Sequence, residues 1–281
     1  MRVLVTGAGG MLGHDVVAAA ERAGHDVVGL GRAELDVADA TAARAAVAAA
    51  RPDAVINCAA WTDVDGAEAD EAAACAINGT GAGNVAAAAG AAGAFVVHVS
   101  TDYVFSGDAT APYLESDPPR PISAYGRSKL AGEQAVGTAA PGAHAIVRSA
   151  WLFGLHGGNF VATMLRLARE RDRLSVVDDQ IGCPTFTGHL APALVRIAAQ
   201  RLGGVRHVAA QGECSWHDLA AAAFAATGAE VTLARSRTAD LGRPAPRPAF
   251  SVLRSERPGT PVLPPWRDGL HAYLETTGVT A

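Results

Sequence analysis

Short apolar runs alternate with longer alanine-rich stretches through the first half of the chain. This pattern predicts strands at 3–5, 26–30, 54–57, 95–100 and 143–148. It predicts helices between or after them at 15–22, 41–49, 71–90 and 125–136. Strands that alternate with helices are typical of βαβ units, which build a parallel sheet covered on both faces. We therefore predict an α/β fold with a doubly wound, Rossmann-type parallel sheet.

The pattern changes after about residue 150. Helices predicted at 159–171, 186–201 and 216–226 are separated by irregular segments that contain scattered Gly and Pro. We expect residues 151–281 to form mainly a smaller C-terminal lobe over the carboxyl ends of the strands of residues 1–150. Residues 205–209 are a candidate strand that returns to the sheet. No low-complexity linker separates the two halves, so we expect them to be tightly joined.

Composition narrows the class of protein. The 281 residues carry a net charge of −5, which gives no basic surface for nucleic acid. No segment approaches the roughly 20 apolar residues that a membrane span needs. The N-terminus leads into a strand without a secretory pattern. Four widely spaced cysteines, at 58, 75, 183 and 214, indicate reduced thiols. We expect a cytoplasmic protein that binds neither nucleic acid nor membrane.

A glycine motif follows the first predicted strand. Gly7, Gly10 and Gly13 have the spacing G-x-x-G-x-x-G and open the first helix. Missing side chains allow a close turn and near approach of the backbone to a diphosphate, and the helix N-terminus offers free N–H groups. A glycine-rich turn without a ligand is the alternative. The strand–turn–helix context favours a dinucleotide site.

The end of the second strand bears on the choice of cofactor. An NAD site usually has an acidic residue there, about 20 residues past the glycines, for the ribose 2′-OH. This chain has Leu30-Gly31-Arg32, and Arg32 is a candidate partner for a 2′-phosphate. NADPH is therefore favoured over NADH, with a solvated loop charge as the alternative role of Arg32. Asp36 and Val37 are expected to frame the adenine.

Tyr125 and Lys129 lie four residues apart in Ser-Ala-Tyr-Gly-Arg-Ser-Lys, on one face of a predicted helix. A tyrosine with its ordinary pKa of about 10 is a poor acid at neutral pH. A nearby positive charge favours the phenolate and lowers that pKa. The pair suits proton transfer to a carbonyl oxygen while a nicotinamide moves a hydride. We therefore expect residues 1–150 to be an NAD(P)-binding domain and residues 151–281 to bind substrate.

Thr101 ends the fourth predicted strand. Ligands of open parallel sheets bind at the carboxyl ends of strands, so we expect Thr101 to meet Tyr125 above the nicotinamide. A turn or helix cap is the alternative. Asn78 is a weaker candidate for contacts within the site. His98 fits a packed sheet residue and His14 has no partner at metal spacing, so no metal site is predicted.

These motifs resemble the extended short-chain dehydrogenase/reductase superfamily. Within it, the whole chain resembles the dTDP-4-dehydrorhamnose reductase family, with specific marks at 100–105, 149–151, 159–160, 179–185 and 247–251. The resemblance implies reduction of the C4 ketone of dTDP-4-dehydro-L-rhamnose to dTDP-L-rhamnose by NADPH, in nucleotide-sugar biosynthesis. A reductase of a related dTDP-4-keto-sugar, such as a dihydrostreptose or deoxysugar precursor, is the alternative.

The resemblance also implies roles for single residues. Tyr125 would donate the proton, Lys129 would lower its pKa and hold the nicotinamide ribose, and Thr101 would adjust the tyrosine. The implied cofactor contacts are Gly10, Met11, Leu12, Asp36, Val37, Ala59, Ala60 and Trp61. The candidate substrate contacts are Thr101, Asp102, Tyr103, Trp151, Asn159 and Arg247. For Arg247, whose guanidinium matches phosphate oxygens, a structural role beside Pro248 is the alternative.

Several features leave alternatives open. Some members of the family dimerise through Mg²⁺ held by acidic side chains. Asp15 would serve, but segment 186–190 lacks the expected acid, so Mg²⁺ and the choice between monomer and homodimer stay open. A 4,6-dehydratase or epimerase is disfavoured because Tyr103 stands where a catalytic Glu is usual. A non-catalytic module, like the regulatory subunit of methionine adenosyltransferase, is disfavoured by the intact Thr101, Tyr125 and Lys129.

Overall fold

Six parallel strands form the central sheet of the computed structural model, which describes residues 1–278. The strands of the central sheet and of three smaller two-stranded sheets are, in chain order, β1 (Arg2–Thr6), β2 (Asp26–Leu30), β3 (Ala54–Asn57), β4 (Phe95–Thr101), β5 (His144–Ser149), β6 (Leu152–Phe153), β7 (Arg173–Val177), β8 (Ile181–Gly182), β9 (Thr185–Phe186), β10 (Gly204–His207), β11 (Cys214–Ser215) and β12 (Thr232–Ser236). The sheet order is β10-β5-β4-β3-β1-β2. Because the order reverses between β1 and β3, a crevice opens at their carboxyl ends, where such sheets bind ligands.

Helices cover both faces of this sheet. They are α1 (Met11–Arg22), α2 (Ala40–Ala50), α3 (Val64–Ala69), α4 (Glu71–Cys75), α5 (Ala82–Ala91), α6 (Ala124–Ala139), α7 (Phe160–Glu170), α8 (Thr187–Gln200), α9 (Trp216–Thr227) and α10 (Trp266–Thr277). Apolar residues of α1 and α8 pack on one face and those of α2 and α5 on the other. Strand β3 is buried along its whole length. Its unbroken apolar run is therefore what a strand covered on both faces requires.

The second half of the chain contributes to the sheet as well as to the lobe. Strand β10 pairs in parallel with β5, and α8 packs against α1 beneath the sheet. The lobe has its own apolar core, built from α7, α9 and α10, and three two-stranded pairings. The division at residue 150 stays a prediction. Within residues 1–278, no helix combines the length and apolarity that a membrane crossing demands.

The helix predicted over 71–90 is interrupted. A π-helical turn at Ala76–Gly81 separates α4 from α5. The turn packs tightly against its neighbours, since a Cβ on Gly81 would lie 2.7 Å from Cγ2 of Val37. The Asn78 side chain leaves the turn to bond a loop after β3. This tertiary contact accounts for the widened turn, which helical periodicity alone does not reveal.

Candidate active site

The three glycines form a close turn between β1 and α1. Gly7 has φ +69°, and a Cβ there would lie 2.6 Å from the Ala59 nitrogen. A Cβ on Gly13 would collide with the Gly7 carbonyl oxygen. Gly10 caps α1 without a side-chain hydrogen bond, so the first N–H groups of the helix, at Met11 and Leu12, have no side-chain cap. This cradle fits a dinucleotide diphosphate.

The end of β2 holds two side chains of opposite charge. Arg32 is exposed, where it has room to reach a 2′-phosphate. Oε2 of Glu34 accepts from the Gly31 nitrogen at 2.9 Å, and Gly31 lies against the backbone of Gly9. Glu34 was missed by the sequence interpretation, although it lies about 20 residues past the glycines, where an acid that binds a ribose is expected.

Asp36 and Val37 continue this edge. The exposed Asp36 carboxylate accepts from the Ala38 nitrogen at 2.9 Å, and Val37 is buried. Asn84 donates to the carbonyl oxygen of Val37 at 3.1 Å and thereby fixes the loop. The backbone here is therefore held in place at the mouth of the crevice, as a rim beside an adenine requires.

Asn57, the last residue of β3, fixes the loop that follows this strand. Its Oδ1 accepts from Thr6 Oγ1 at 2.6 Å and from the Ala59 nitrogen at 3.1 Å. Ala59, Ala60 and Trp61 are each partly exposed along this loop. Small side chains at 59 and 60 leave the backbone open to a flat ligand. The loop thus faces the glycine turn, since Gly7 contacts Ala59.

Asn78 joins this loop to the helix that carries the predicted acid. Its Oδ1 accepts from the Trp61 nitrogen at 2.8 Å, and its Nδ2 donates to Ser128 Oγ at 2.9 Å. Ser128 Oγ donates in turn to the Tyr125 carbonyl at 2.8 Å. Asn78 is fully buried. It therefore sets the spacing between the predicted cofactor loop and α6, instead of contacting a ligand directly.

Tyr125 lies at the start of α6, which Ser123 caps by accepting from the Gly126 nitrogen at 3.1 Å. Its ring stands edge-on to Tyr103, with centroids 5.6 Å apart. Burial raises the pKa of Tyr125 to about 12, and the nearby Thr101 side chain opposes this increase. The Thr101 side chain thus lies near the Tyr125 phenol, and their meeting above a nicotinamide stays a prediction.

Thr101 caps the turn that follows β4, which is the alternative role expected of it, and its catalytic role stays a prediction. Its Oγ1 accepts from the Tyr103 nitrogen at 3.2 Å, which caps the short 3₁₀ turn Asp102–Val104. It also donates to Asp102 Oδ1 at 3.0 Å. A threonine at this strand end is thus a cap and a neighbour of the tyrosine at once.

Lys129 is 2% exposed, and its Nζ donates to the Val99 carbonyl at 2.8 Å. Burial lowers the pKa of Lys129 to about 8, and the negative charge of Glu133 opposes this decrease. The expected lowering of the tyrosine pKa by Lys129 is not what this structure displays, because burial dominates at Tyr125 and the opposing influence comes from Thr101.

Two candidate substrate residues surround this centre. Asp102 is 2% exposed, and burial raises its pKa to about 6 despite the opposing influence of the neighbouring Ser251 and Thr101 side chains. The pKa of the Tyr103 phenol is also raised, first by burial and then by the charge of Asp102. Burial thus favours the neutral form of each group more than exposure to solvent would.

Trp151 follows β5 in a left-handed backbone conformation, with φ +50°. Its indole lies parallel to that of Trp216, with centroids 3.7 Å apart. Gly182 makes room for this arrangement, because a Cβ there would collide with the Trp151 indole. Trp216 was missed by the sequence interpretation, and no local signal marks it.

Asn159 and Arg247 are engaged with the protein. Asn159 caps α7 by accepting from the Ala162 nitrogen at 2.9 Å, and its Nδ2 donates to the carbonyl of Gly154 and the hydroxyl of Tyr273. Both of its amide hydrogens are used, so the structure explains Asn159 as a cap. Its contact with substrate stays a prediction.

Arg247 forms a two-pronged pair with Asp65 on α3, at 2.8 and 3.0 Å. Arg243 donates to the same carboxylate at 3.0 Å. Arg247 is the largest influence that holds the pKa of Asp65 well below its usual range. The structural alternative for Arg247 is therefore present, since the pair ties the 243–247 loop to the sheet domain. Two arginines on one carboxylate leave a net positive charge for an anionic ligand.

The histidines and acids considered for metal binding are dispersed. His98 is buried in β4 with its Nδ1 3.1 Å from Asn57 Nδ2, and His14 stacks on His156 with centroids 4.3 Å apart. Asp15 lies on α1, which packs on α8. Among the described residues, no three His, Cys, Asp or Glu side chains are grouped to hold a metal ion. Mg²⁺ and the assembly stay open.

A glycine cradle at a helix N-terminus and a tyrosine–lysine helix beside a strand-end threonine define a class of protein. It is a nicotinamide-dependent oxidoreductase of the extended short-chain dehydrogenase/reductase type. A family profile described as "RmlD substrate binding domain" matches residues 1–279, and the chain belongs to this family. The family, fold and oxidoreductase class expected from the sequence are confirmed.

Individual relatives agree with this membership. The chain is 45% identical to a dTDP-4-dehydrorhamnose reductase of Streptomyces griseus, over 98% of this chain and 92% of the relative. It is also 45% identical to a dTDP-4-keto-6-deoxy-D-glucose reductase of Streptomyces niveus, over 90% of this chain and 88% of the relative.

Solved structures resemble the fold closely. The crystal structure of a dTDP-4-dehydrorhamnose reductase from Bacillus anthracis in complex with NADP superposes with a TM-score of 0.95 at 38% identity, covering 98% of this chain and 99% of that one. A UDP-glucose 4-epimerase from Thermus thermophilus superposes with a TM-score of 0.80 at 20% identity, covering 98% of each chain, and supports the fold alone.

Proposed function

We propose that this chain reduces the C4 ketone of dTDP-4-dehydro-L-rhamnose to dTDP-L-rhamnose with NADPH, as a step in nucleotide-sugar biosynthesis. One arrangement carries the proposal: Tyr125 and Lys129 lie one turn apart on α6, and the Tyr125 ring packs against Tyr103, whose nitrogen bonds Thr101 at the carboxyl end of β4. Relatives that are 45% identical over nearly the whole chain bear the name of this reductase, and a similar structure contains NADP.

NADPH would lie along the crevice between β1 and β3. The glycine turn would hold its diphosphate, and Arg32 would meet the 2′-phosphate. Asp36 and Val37 would flank the adenine. The residues proposed to bind the cofactor are Gly7, Gly10, Met11, Leu12, Gly13, Arg32, Asp36, Val37, Ala59, Ala60, Trp61, Tyr125 and Lys129.

When held by these residues, NADPH would supply a hydride to C4 of the sugar. Tyr125 donates its hydroxyl proton to the oxygen on C4, whose negative charge would otherwise build up. The Thr101 hydroxyl would turn from Asp102 to donate toward the same oxygen, and the buried Lys129 ammonium would stabilise the tyrosinate that remains. Donors that are fixed before the reaction stabilise developing charge without reorganisation, which is the usual source of large catalytic effects.

The sugar would be enclosed by Asp102, Tyr103 and Trp151, and the dTDP diphosphate would approach Arg247. Trp151 presents a flat apolar face to the 6-deoxysugar, and Asp102 accepts from hydroxyl groups. We assign residues 1–150 to cofactor binding and residues 151–281 mainly to substrate binding. We further propose a cytoplasmic enzyme that acts as a monomer or homodimer, which light scattering of the purified protein would determine.

Reduction of a related dTDP-4-keto-sugar is the second candidate. It is favoured by the Streptomyces niveus relative, which is equally similar to this chain. The two candidates share the same chemistry and differ only in the shape of the sugar pocket. Trp151 and its stacking partner Trp216 border that pocket, so they are the side chains that discriminate between sugars.

A panel assay tests the proposal. Purified protein is mixed with dTDP-4-dehydro-L-rhamnose or related dTDP-4-keto-sugars and with NADPH or NADH, and the configuration of each product at C4 is determined by NMR. We expect the fastest NADPH oxidation with dTDP-4-dehydro-L-rhamnose. Faster turnover of another keto-sugar would establish the second candidate. Binding without turnover would favour a regulatory module, and NAD that remains tightly bound on purification would favour an epimerase or dehydratase.

A further inference from the structure

Lys129 is the single lysine among 23 basic residues, and all the others are arginines. It is 2% exposed, and its one side-chain hydrogen bond within residues 1–278 goes to the neutral carbonyl of Val99. Burying a cation costs several kcal/mol unless a partner compensates its charge. A carbonyl oxygen offers a partial charge only. The structure must therefore provide a further anion if the ammonium form is to persist at neutral pH.

Glu133 occupies the position one turn further along α6. Residues four apart on a helix share a face, and Glu133 is 5% exposed on the face of Lys129. Both side chains reach β4 at consecutive residues. Lys129 Nζ bonds the Val99 carbonyl at 2.8 Å, and Glu133 Oε1 accepts from Ser100 Oγ at 2.5 Å. The two opposite charges thus lie side by side above one strand.

Arg148 fixes the Glu133 carboxylate in this position. Its Nε and Nη2 atoms donate to the two carboxylate oxygens at 2.9 and 2.7 Å. Arg148 lies on β5 directly opposite Ser100 in the sheet register, and its guanidinium stacks over Phe105 at 5.1 Å. A carboxylate held by two charge-assisted bonds does not rotate away.

We propose that Glu133 is a positioning residue that keeps Lys129 charged beside Tyr125. This inference rests on the role of Lys129 in the proposed function and adds a residue that acts through it. Within residues 1–278, the side-chain hydrogen bonds of Glu133 go to Ser100 and Arg148 and not to Tyr125. Its contribution is the negative charge that compensates the buried ammonium.

The other titratable groups that face Lys129 are neutral near neutral pH. Burial raises the pKa of the Cys58 thiol to about 12, and burial lowers the pKa of His98 well below its ordinary value. Burial also lowers the pKa of Lys129 to about 8, against the opposing influence of Glu133. Of Glu133, Cys58 and His98, Glu133 is therefore the group whose negative charge favours the Lys129 ammonium.

The single lysine allows a direct measurement. Protein labelled with carbon-13 at lysine Cε gives one side-chain signal, whose shift is followed as pH rises from neutral. We expect the Glu133→Gln variant to lower the pKa of Lys129 by about one unit or more. The alkaline limb of kcat should move to lower pH by the same amount. Glu133→Asp keeps the charge and should restore most of the shift.

Glu71→Gln is the matched control. It removes a carboxylate from an exposed pair with Arg127, which also lies on α6. The same change of side chain there should leave the pKa of Lys129 unchanged. A pKa that moves no further in Glu133→Gln than in Glu71→Gln overturns the proposal. Because no substrate is present in the titration, this result is independent of the keto-sugar assays.

Glu133→Gln leaves the Arg148 guanidinium buried without its partner, which is strongly destabilising. If that variant does not fold, the double variant Glu133→Gln/Arg148→Met removes both charges and replaces the pair with apolar volume. The negative charge of Glu133 opposes the lowering of the Lys129 pKa. The double variant should therefore also show a lower Lys129 pKa than the wild type, reduced in size because the Arg148 cation is removed too, and an unchanged Lys129 pKa in it contradicts the proposal.

Discussion

The indoles of Trp151 and Trp216 lie face to face, with centroids 3.7 Å apart and ring planes 2° from parallel. Trp151 follows the central strand β5, whereas Trp216 opens helix α9 of the lobe. Trp216 is anchored from behind, because its Nε1 donates to Gln180 at 3.1 Å. The stack therefore joins the sheet to the lobe at the border of the proposed sugar pocket, and Trp216 fixes the orientation of Trp151.

We expect Trp216→Leu to raise KM for the dTDP-keto-sugar by about tenfold, because Trp151 loses the aromatic face that orients it. The value of kcat should change less, since Tyr125 and Thr101 are untouched. Trp216→Phe keeps an aromatic face and serves as the control with KM near that of the wild type. Steady-state NADPH oxidation measures both constants. An unchanged KM in Trp216→Leu would remove Trp216 from the pocket.

Tyr125→Phe should cut turnover about a hundredfold or more, the scale of a lost general acid. The ring and its edge-on contact with Tyr103 remain, so binding of NADPH should be retained. Stopped-flow turnover and fluorescence titration of NADPH measure the two effects separately. Turnover near the wild-type rate would exclude Tyr125 as the proton donor.

Arg32→Ala should weaken NADPH more than NADH, because only NADPH carries the 2′-phosphate that a guanidinium binds. We expect KM for NADPH to rise about tenfold with KM for NADH nearly constant. Glu34→Ala is the paired variant, and it should weaken NADH instead by removing an acceptor for the ribose 2′-OH. Equal effects of Arg32→Ala on both cofactors would contradict the assignment.

Gly13→Ala should destabilise the protein by about 2 kcal/mol or more, because its methyl group would overlap the Gly7 carbonyl where α1 leaves the turn. Gly9→Ala is the control in the same loop, since a Cβ there meets nothing within 4 Å. Urea denaturation measures the free energy of unfolding of each variant. Similar losses in both variants would mean that the turn tolerates a side chain at 13.

Asp102 makes stability depend on pH. Its pKa is about 6 in the folded protein and 3.8 when exposed, so the folded state binds more protons between these values. The free energy of unfolding should therefore fall as pH rises from about 4 to about 6. Asp102→Asn should remove this decrease and gain stability relative to the wild type over that range. Urea denaturation across pH checks this, with exposed Asp172→Asn as the control.

Much of the fold and the proposed catalytic group could be predicted locally. The strands of the first half are recognised because a strand covered on both faces needs an unbroken apolar run. Tyr125 and Lys129 share a helix face because the period of the helix places residues four apart together. The glycine turn is recognised because missing side chains are required at fixed positions between a strand and a helix. Each of these rules acts within a few residues.

Tertiary structure decided which distant residues meet. Glu133 finds Arg148 only because β5 lies next to β4, and Trp216 reaches Trp151 only because the lobe folds over the strand ends. The π-helical turn between α4 and α5 forms because the hydrogen-bond partners of Asn78 lie on the Trp61 loop and on α6. Residue periodicity fixes the face that an element presents. The order and packing of elements far apart in the chain decide what that face touches.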